Sequence, residues 1–155
     1  MTVQLTGAPS TPRECWETID WPTAKRFVYR LQSRIAKAFR ERRLGKAKAL
    51  QWILTRSFYA KALAIKRVTQ NKGAKTPGVD KVLWRTPKQK WQAIQLLRRR
   101  GYHPQPLRRI YIAKRQKGKL RPLSIPTMRC RAQQALHLYA LDPITEMIAD
   151  KHSYG

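Results

Sequence analysis

The chain has 155 residues, and its 42% hydrophobic content is enough to bury a core, which excludes a disordered basic tail. Its 34 Lys and Arg against 8 Asp and Glu give a net charge of +26. The cationic side chains repel one another unless a polyanion neutralises them. No apolar run approaches the roughly 18 residues of a membrane-spanning helix, and residues 1–13 have no signal-peptide core. The sequence therefore predicts an intracellular protein, cytoplasmic in a bacterium or organellar, with a nucleic acid as the favoured partner and no membrane partner.

The N-terminal part is predicted to be helical after a short tail. Residues 1–13 are polar, contain Pro and Gly, and are expected to be disordered. Asp20 and Pro22 supply the cap and first turn of a helix. Gly45 is expected to interrupt it, so that residues 14–70 form an antiparallel helix pair. The predicted apolar faces are Ala24, Phe27, Val28, Leu31, Ile35 and Ala38 in the first helix and Leu50, Ile53, Leu54, Phe58, Ala62 and Ile65 in the second.

A loop and a third helix come next. Residues 71–80 contain two glycines, a proline and an asparagine, which favour a loop. Thr86 followed by Pro87 is a strong helix start. This helix is expected to end in three consecutive arginines, residues 98–100, which are more cations than the helix dipole requires.

A basic hairpin and further helices complete the chain. Residues 108–114 alternate basic and apolar side chains, as in a half-buried strand. A turn through Gly118 leads to a second strand at residues 120–125. Thr127 then begins another helix, which Pro143 is expected to break before a last short helix. The succession of helices, loop, helix, hairpin and helix predicts an α+β fold.

The charge is concentrated in the second half of the chain. Between Lys81 and Leu141 there is no Asp or Glu, against sixteen Lys and Arg. An ordinary solvated surface mixes both signs. The pattern therefore indicates a face that binds nucleic acid.

Ordered multi-residue blocks run through the chain. In the C-terminal part they are LRRIYI (107–112), Lys114, GK (118–119), RPL (121–123), IPT (125–127), RA (131–132), QAL (134–136), LDP (141–143) and SYG (153–155). In the N-terminal part they are LQ (31–32), RI (34–35), KALA (61–64), KRVT (66–69), Asn71 and TPGVD (76–80). Together these blocks, which cover about residues 14–155, resemble the N-terminal extension and the fingers of group II intron reverse transcriptases (maturases).

The resemblance implies a division of the chain into two parts. Residues 14–70 would form a helical N-terminal extension that helps to hold intron RNA. Residues 71–155 would form a fingers-like subdomain, in which the loop 71–80 lies as a lid over the template strand. The hairpin residues that match Arg108, Lys114 and Arg121 approach the template and the phosphates of the incoming nucleotide in that family. Arg offers phosphate a planar fork of donors and Lys a mobile point charge, which suits these roles.

Four positions depart from the family's pattern. Ala113 stands in place of a Pro, Ser124 and Lys81 each in place of a Gly, and Cys130 in place of an Asp. In the family each position is tied to nucleotide or template geometry. The departures indicate a chain that has lost the constraints of a polymerase and kept its fold and its grip on RNA.

The resemblance supplies no catalytic residues. The family's metal-binding aspartates belong to the palm and follow the block that matches SYG at 153–155, where this sequence ends. Two-metal phosphoryl transfer needs closely spaced carboxylates, and the eight acids include no such pair. Cys15 and Cys130 are far apart, and no histidine clusters with them. We therefore expect no catalytic residue, no metal site, no cofactor and no enzyme activity of the chain by itself.

The tryptophans allow two uses. An exposed indole can stack on bases, whereas a buried one packs in a core. Trp52 and Trp91 are expected to pack in the core. Trp84, which lies beside the loop, is left open to contact with RNA.

The favoured hypothesis is a non-catalytic RNA-binding protein derived from a group II intron reverse transcriptase. Its partner would be a structured RNA (an intron, a ribosomal RNA, a guide-type RNA or another noncoding RNA) within a ribonucleoprotein. Two alternatives stay open: the N-terminal piece of a split reverse transcriptase with a separately encoded palm and thumb, or a general basic nucleic-acid chaperone. The candidate RNA-binding residues are Arg26, Arg30, Arg34, Lys37, Lys61, Lys66, Arg67, Asn71, Lys72, Lys75, Arg98, Arg99, Arg100, Arg108, Arg109, Lys114, Lys117, Lys119 and Arg121.

Overall fold

The computed structural model describes residues 15–115 and 118–149. Within them the chain forms five α-helices and one two-stranded antiparallel sheet, which confirms the predicted α+β class. The expected disordered tail 1–13, the terminal residues 150–155, and Gln116 and Lys117 of the turn lie outside the described residues. The elements are α1 (Trp21–Arg40), α2 (Leu44–Arg56), α3 (Phe58–Gln70), α4 (Pro87–Leu96), β1 (Arg108–Ala113), β2 (Leu120–Ile125) and α5 (Met128–Ile148), with short 3-10 turns at Trp16–Thr18 and Lys72–Lys75.

Three of the helices begin where local capping chemistry predicts. Asp20 Oδ1 accepts a hydrogen bond from Thr23 N at 3.1 Å at the start of α1. Before α4, Thr86 Oγ1 accepts from Gln89 N at 3.3 Å, and Gln89 Oε1 accepts from Thr86 N at 3.0 Å. Thr127 caps α5 in the same way as Asp20 caps α1. Each cap satisfies backbone N–H groups that the first helical turn leaves without partners.

The second predicted helix is two helices, which meet at Ser57. Its N–H closes the last turn of α2, and its Oγ accepts from Ala60 N at 3.2 Å to begin α3. A serine hydroxyl is a preferred N-cap, which is why the chain restarts here. The break shifts the helical phase, so Ile53 and Phe58, predicted to lie in the apolar face, are exposed. The predicted interruption between the first two helices is present, but it lies at residues 41–43, and Gly45 belongs to the first turn of α2. Because of the additional break at Ser57, the predicted helix pair is three helices.

α5 continues through Pro143, where the sequence predicts a break. Proline removes the N–H that would otherwise donate to the carbonyl four residues earlier. Gln32 of α1 replaces that donor, because its Nε2 donates to Tyr139 O at 2.9 Å. Gln51 of α2 likewise donates to Ala140 O at 2.9 Å. Tertiary hydrogen bonds thus hold one helix across the proline, and the prediction of a separate last helix is wrong.

One hydrophobic core joins the helices. α5 packs against α1, α2 and α3, and α4 packs against α3. The largest fully buried side chains come from several of these helices and include Ile35, Leu54, Ile65 and Leu136. Burial of each such side chain contributes about 1.5–3 kcal/mol. The helices of the described residues include none that is long and apolar enough to cross a lipid bilayer.

The hairpin stands apart from this core. β1 and β2 pair from Arg108 opposite Ile125 to Ala113 opposite Leu120. Among the described residues neither strand makes an extensive contact with a helix, and Ile125 alone of the strand residues is buried. The prediction of a half-buried strand is confirmed for the first part of β1, where half-buried Arg108 and Ile110 alternate with exposed Arg109 and Tyr111. The rest of the hairpin, Tyr111–Ala113 of β1 and Leu120–Ser124 of β2, is exposed.

Candidate nucleic-acid interface

α1 presents a row of cations on its exposed side. Arg26, Arg30, Arg34 and Lys37 are spaced three or four residues apart, which places them along one line of the helix. All four are exposed. Lys37 Nζ lies 4.0 Å from Glu41 Oε1, whereas Arg30 and Arg34 have no ion-pair partner among the described residues. This row is therefore available to a polyanion.

The predicted cations at the end of α3 also serve packing. Lys66 Nζ lies 4.0 Å from the centre of the Trp21 ring, and the guanidinium of Arg67 lies 6.0 Å from the centre of the Tyr139 ring. Burial lowers the pKa of Lys66, and the charge of Lys25 lowers it further. These two cations stabilise contacts between helices in addition to any contact with RNA.

Arg131 of α5 anchors the loop 71–80. Its Nη1 donates to Gly73 O at 2.9 Å, its Nη2 donates to Thr76 O, and its Nε donates to Pro126 O at 3.0 Å. One planar guanidinium thus ties the loop to the residues that precede α5. Arg131 lies in one of the family blocks, but no local pattern connects it to the loop, because the two are far apart along the chain.

The loop also touches the start of α5 directly at Gly78. A Cβ added to Gly78 would lie 2.6 Å from Thr127 Cα, so this close approach requires glycine. The anchored loop exposes Asn71, Lys72 and Lys75. These three candidates are therefore held together on a fixed segment beside α5.

The hairpin brings Arg108 and Arg121 to one face. Ile112 is paired with Arg121 and lies four residues after Arg108 on the same strand, so both guanidinium groups share one side of the pleated sheet. Arg109 lies on the other side. Arg108 Nε is buried and has no acceptor among the described residues. The predicted hairpin cations therefore divide between two faces.

Lysines flank the hairpin turn. Lys114 and Lys119 are exposed, and Lys114 N donates to Lys119 O at 2.8 Å to close the turn. Gly118 adopts a φ of 80°, a left-handed conformation that favours glycine. Lys117, also a candidate, lies outside the described residues.

The arginines 98–100 line a pocket of about 770 Å³. Trp52 also lines it and is 52% exposed, so the prediction that it packs in the core is wrong. The guanidinium of Arg56 lies 4.4 Å from the centre of the Trp52 ring. Lys61 is the candidate from α3 that reaches this pocket. The lining residues outside the arginine run are Trp52, Thr55, Arg56, Lys61, Leu97, Gln133 and His137.

The other two tryptophans serve the core. Trp84 is 7% exposed, which removes it from the surface available to RNA. Trp91 is half-buried and contacts Phe58 edge to face, with ring centres 5.5 Å apart. The expected core role of Trp91 is confirmed.

Most cations of the described residues lack an acidic partner. Only Lys37 and Arg43 there form ion pairs within 4.0 Å, and both pair with Glu41. In the same part of the chain, His, Cys, Asp and Glu form no group of three or more that could hold a metal ion. The surface therefore has a positive potential that few internal carboxylates offset.

Cys130 lies buried at the start of α5. Burial alone raises the pKa of its thiol, but hydrogen bonds with Thr127 and Tyr102 lower it by more, so the pKa lies below its usual value. Burial, followed by the hydrogen bond with Cys130, raises the pKa of Tyr102 to about 12. Cys130 as a residue is 4% exposed, which makes the pair a structural contact rather than a reactive site.

Comparison with known proteins gives one family and several relatives. Residues 16–97 match the family described as the N-terminal domain of reverse transcriptase. Protein YkfC of Escherichia coli (strain K12) is 45% identical over 96 residues, which cover 57% of this chain and 25% of that protein. The group II intron-encoded protein LtrA of Lactococcus lactis subsp. cremoris is 36% identical over 95 residues, which cover 60% of this chain and 16% of that protein. The chain thus spans a quarter or less of the length of these curated relatives.

Proposed function

The chain belongs to the family of reverse transcriptase N-terminal domains and resembles the N-terminal region of group II intron reverse transcriptases, and from this we propose an RNA-binding function. In the proposal the chain binds and stabilises a structured RNA within a ribonucleoprotein. In this proposal the chain does not itself polymerise nucleic acid. Its partner is an intron, a ribosomal RNA, a guide-type RNA or another noncoding RNA.

The observation that carries the proposal is the set of unpaired cations on a folded body. Among the Lys and Arg of the described residues, only Lys37 and Arg43 have a carboxylate within 4.0 Å. The phosphates of a nucleic acid neutralise such a surface, and their binding releases counterions. Structured RNA offers phosphates together with 2′-hydroxyls and a defined shape. Three separate segments of this chain present cations to them: α1, the anchored loop 71–80 and the hairpin.

The parts of the chain have different roles in this proposal. Residues 14–70 act as the N-terminal extension and grip RNA through the α1 row. Residues 71–155 act as the fingers-like subdomain, with the loop 71–80 as the lid and the hairpin as a basic arm. The two parts share one core, since α5 packs against α1, α2 and α3. They are therefore expected to fold together.

A charge-matched pair of double variants tests the RNA face. Arg108→Ala with Arg121→Ala removes two cations from one side of the hairpin, and Lys46→Ala with Lys48→Ala removes two exposed cations of α2 outside the candidate set. Affinity for a structured RNA is measured over a range of salt concentrations. The hairpin variant is expected to reduce the slope of log K against log salt by roughly 0.7–0.9 for each phosphate that it no longer neutralises. The α2 variant is expected to leave the slope nearly unchanged.

Two outcomes would overturn this proposal. Equal slopes in both variants would mean that the RNA does not lie on the hairpin face. Comparable affinity for duplex DNA and structured RNA at physiological salt would instead support a general nucleic-acid chaperone.

Exposed apolar side chains favour a second candidate function, the N-terminal piece of a split reverse transcriptase. Tyr111 and Leu120 on the hairpin are 62% and 61% exposed, and Leu141 and Ile148 near the end of α5 are 51% and 67% exposed. Apolar groups clustered on a surface mark interfaces with other proteins. In the resembling family the fingers pack on a palm, which makes a palm-containing polypeptide the fitting partner.

Co-expression distinguishes this second candidate. The chain is produced together with the palm and thumb of a group II intron reverse transcriptase, and co-purification and primer extension are measured. Leu141→Lys is expected to abolish co-purification, whereas Leu44→Lys, at an equally exposed leucine of α2, is expected to preserve it. Failure of the unmodified chain to co-purify would contradict this function. Primer extension by the chain alone would contradict both functions.

A further inference from the structure

The pocket beside residues 98–100 joins four separate segments of the chain. α2 contributes Trp52 and Arg56, α3 contributes Lys61, and α5 contributes Gln133 and His137. Its volume of about 770 Å³ lies within the range of about 300–1,000 Å³ that small-ligand pockets occupy. The pocket is a built cavity in the helical body and is distinct from the hairpin and the loop.

The charges in the pocket call for an anion. Arg56, Lys61 and the arginines 98–100 line it, and no carboxylate of the described residues does. Burial lowers the pKa of Lys61, and the charges of Arg98 and Arg56 lower it further. The cations therefore repel one another, and an anion among them would relieve that repulsion. A phosphate group, with several acceptor oxygens, fits guanidinium and ammonium donors.

Trp52 supplies a flat surface at the mouth of the pocket. Its indole is 52% exposed, and the Arg56 guanidinium lies 4.4 Å from the centre of its ring. Exposed aromatic rings next to cations are the platforms on which unstacked bases of single-stranded nucleic acids lie. This feature favours a ligand with an aromatic base over inorganic phosphate alone.

Gln133 supplies a polar group that needs a partner. Its residue is 5% exposed, and Oε1 accepts no hydrogen bond from the described residues. His137 Nδ1 lies 2.8 Å from Gln133 O, and because a carbonyl only accepts, this nitrogen carries the proton. Gln133 Nε2 lies 3.5 Å from the same Nδ1, which carries a proton and therefore cannot accept from it. In the reversed amide Oε1 would face this N–H and the NH2 group would lack an acceptor, so either orientation leaves a polar end of Gln133 without a partner. A buried polar group without a partner destabilises the fold, and a base edge or ribose hydroxyl would supply the missing hydrogen bond.

We propose that this pocket binds a single unstacked nucleotide of the RNA, with the phosphate held by Lys61 and the arginines 98–100, the base stacked on Trp52 and a polar edge bonded to Gln133. This inference rests on the proposed RNA binding and adds a preference for RNA that displays an extruded nucleotide. Proteins recognise structured RNA most specifically at such bulges and loops, where a base is free to leave the helix.

Two RNA hairpins test the proposal with the full chain. One carries a single-nucleotide bulge with 2-aminopurine at the bulge, and the other is fully paired. The unmodified protein is expected to prefer the bulged RNA, and Trp52→Ala is expected to reduce that preference about tenfold, the effect of one base–aromatic stack. Ile53→Ala, at the neighbouring exposed residue outside the pocket lining, is the control and is expected to keep the preference.

A second variant separates a binding role from a structural one. Gln133→Leu removes the unsatisfied amide and is expected to raise the melting temperature while lowering the preference for the bulged RNA. A lower melting temperature would mean that Gln133 supports the fold and not a ligand.

The outcomes also separate this proposal from the function it rests on. Equal binding of bulged and paired RNA, with the salt slope still reduced in the hairpin variant, would overturn the pocket and leave RNA binding intact. Weak binding of both RNAs would overturn the proposed function itself.

Discussion

Lys81 adopts a backbone conformation that suits glycine. Its φ is 58°, in the left-handed region, where the Cβ of an L-residue crowds the following carbonyl. It follows the TPGVD block directly, at a position where the resembling family has Gly. The departure therefore has a structural cost as well as a change of charge.

We predict that Lys81→Gly stabilises the protein. The free energy of unfolding is expected to rise by about 0.5–1 kcal/mol, because glycine adopts a positive φ without steric strain. Urea denaturation measures this increase in stability as a higher midpoint concentration of urea at an unchanged m-value. Arg85→Gly is the control: Arg85 is exposed and has no positive φ, so glycine there is expected to be neutral or destabilising. A lower midpoint for Lys81→Gly would contradict the prediction.

At the scale of elements, α5 depends on side chains from two other helices. Pro143 leaves Tyr139 O without its helical donor, and Gln32 of α1 supplies the replacement at 2.9 Å. Gln51 of α2 donates to Ala140 O, whose helical donor would be an ordinary N–H. Both glutamines donate over the same distance, but only Gln32 replaces a backbone donor that the helix lacks.

A double-mutant cycle tests this difference. Gln32→Ala is expected to cost about 1–2 kcal/mol in the natural background, and about 1 kcal/mol less when Pro143 is also changed to Ala, because residue 143 then has its own N–H. The cost of Gln51→Ala is expected to be the same in both backgrounds. The free energy of unfolding of each variant supplies the cycle. Additive effects of Gln32→Ala and Pro143→Ala would contradict the replacement role.

The ends of helices could be predicted from the sequence where a local cap determines them. The predictions failed where tertiary contacts determine whether a helix ends. Asp20, Thr86 and Thr127 each bond within three residues, so the sequence alone located these helix starts. Ser57 carries the same local signal, but an apolar period that runs across it concealed the break. The continuity of α5 through Pro143 depends on a glutamine more than a hundred residues away, which no local pattern contains. The exposure of the hairpin likewise depends on what packs beside it.

At the scale of the whole molecule, the excess of positive charge should lower the stability of the folded protein when no polyanion is bound. The 8 acids cannot offset 34 Lys and Arg, and the described residues hold two ion pairs, both through Glu41. Like charges at this density repel in the compact state more than in the unfolded chain. Screening by salt reduces that repulsion within a Debye length of about 10 Å at 0.1 M.

We predict that salt stabilises the RNA-free protein. Its melting temperature is expected to rise by several degrees as potassium chloride increases from about 20 to about 300 mM, because repulsion among unpaired cations is screened. Circular dichroism at fixed pH and protein concentration measures it. In a protein whose surface charges were paired, salt would leave the melting temperature unchanged or lower it. Either result would contradict the unpaired state of these cations.

Only those parts of the candidate interface whose cations lie close together along the chain could be predicted from the sequence. The sequence identified the α1 row, the loop cations and the hairpin, because each lies within one continuous segment. It could not connect residues 98–100 with Trp52 or Gln133, since α2, α5 and the end of α4 meet only after folding. Trp52 is predicted to lie in the core because it falls near the apolar face of a helix in the sequence.

The scarcity of ion pairs at the surface has a consequence for the protein's lifetime in a cell. Any polyanion that binds the folded state and not the unfolded one lowers the unfolded fraction by mass action. Under the proposed function, copies without RNA would unfold more often and would be cleaved by proteases more often than copies in complex. Degradation would then match the number of protein molecules to the number of RNA targets, without a dedicated regulator.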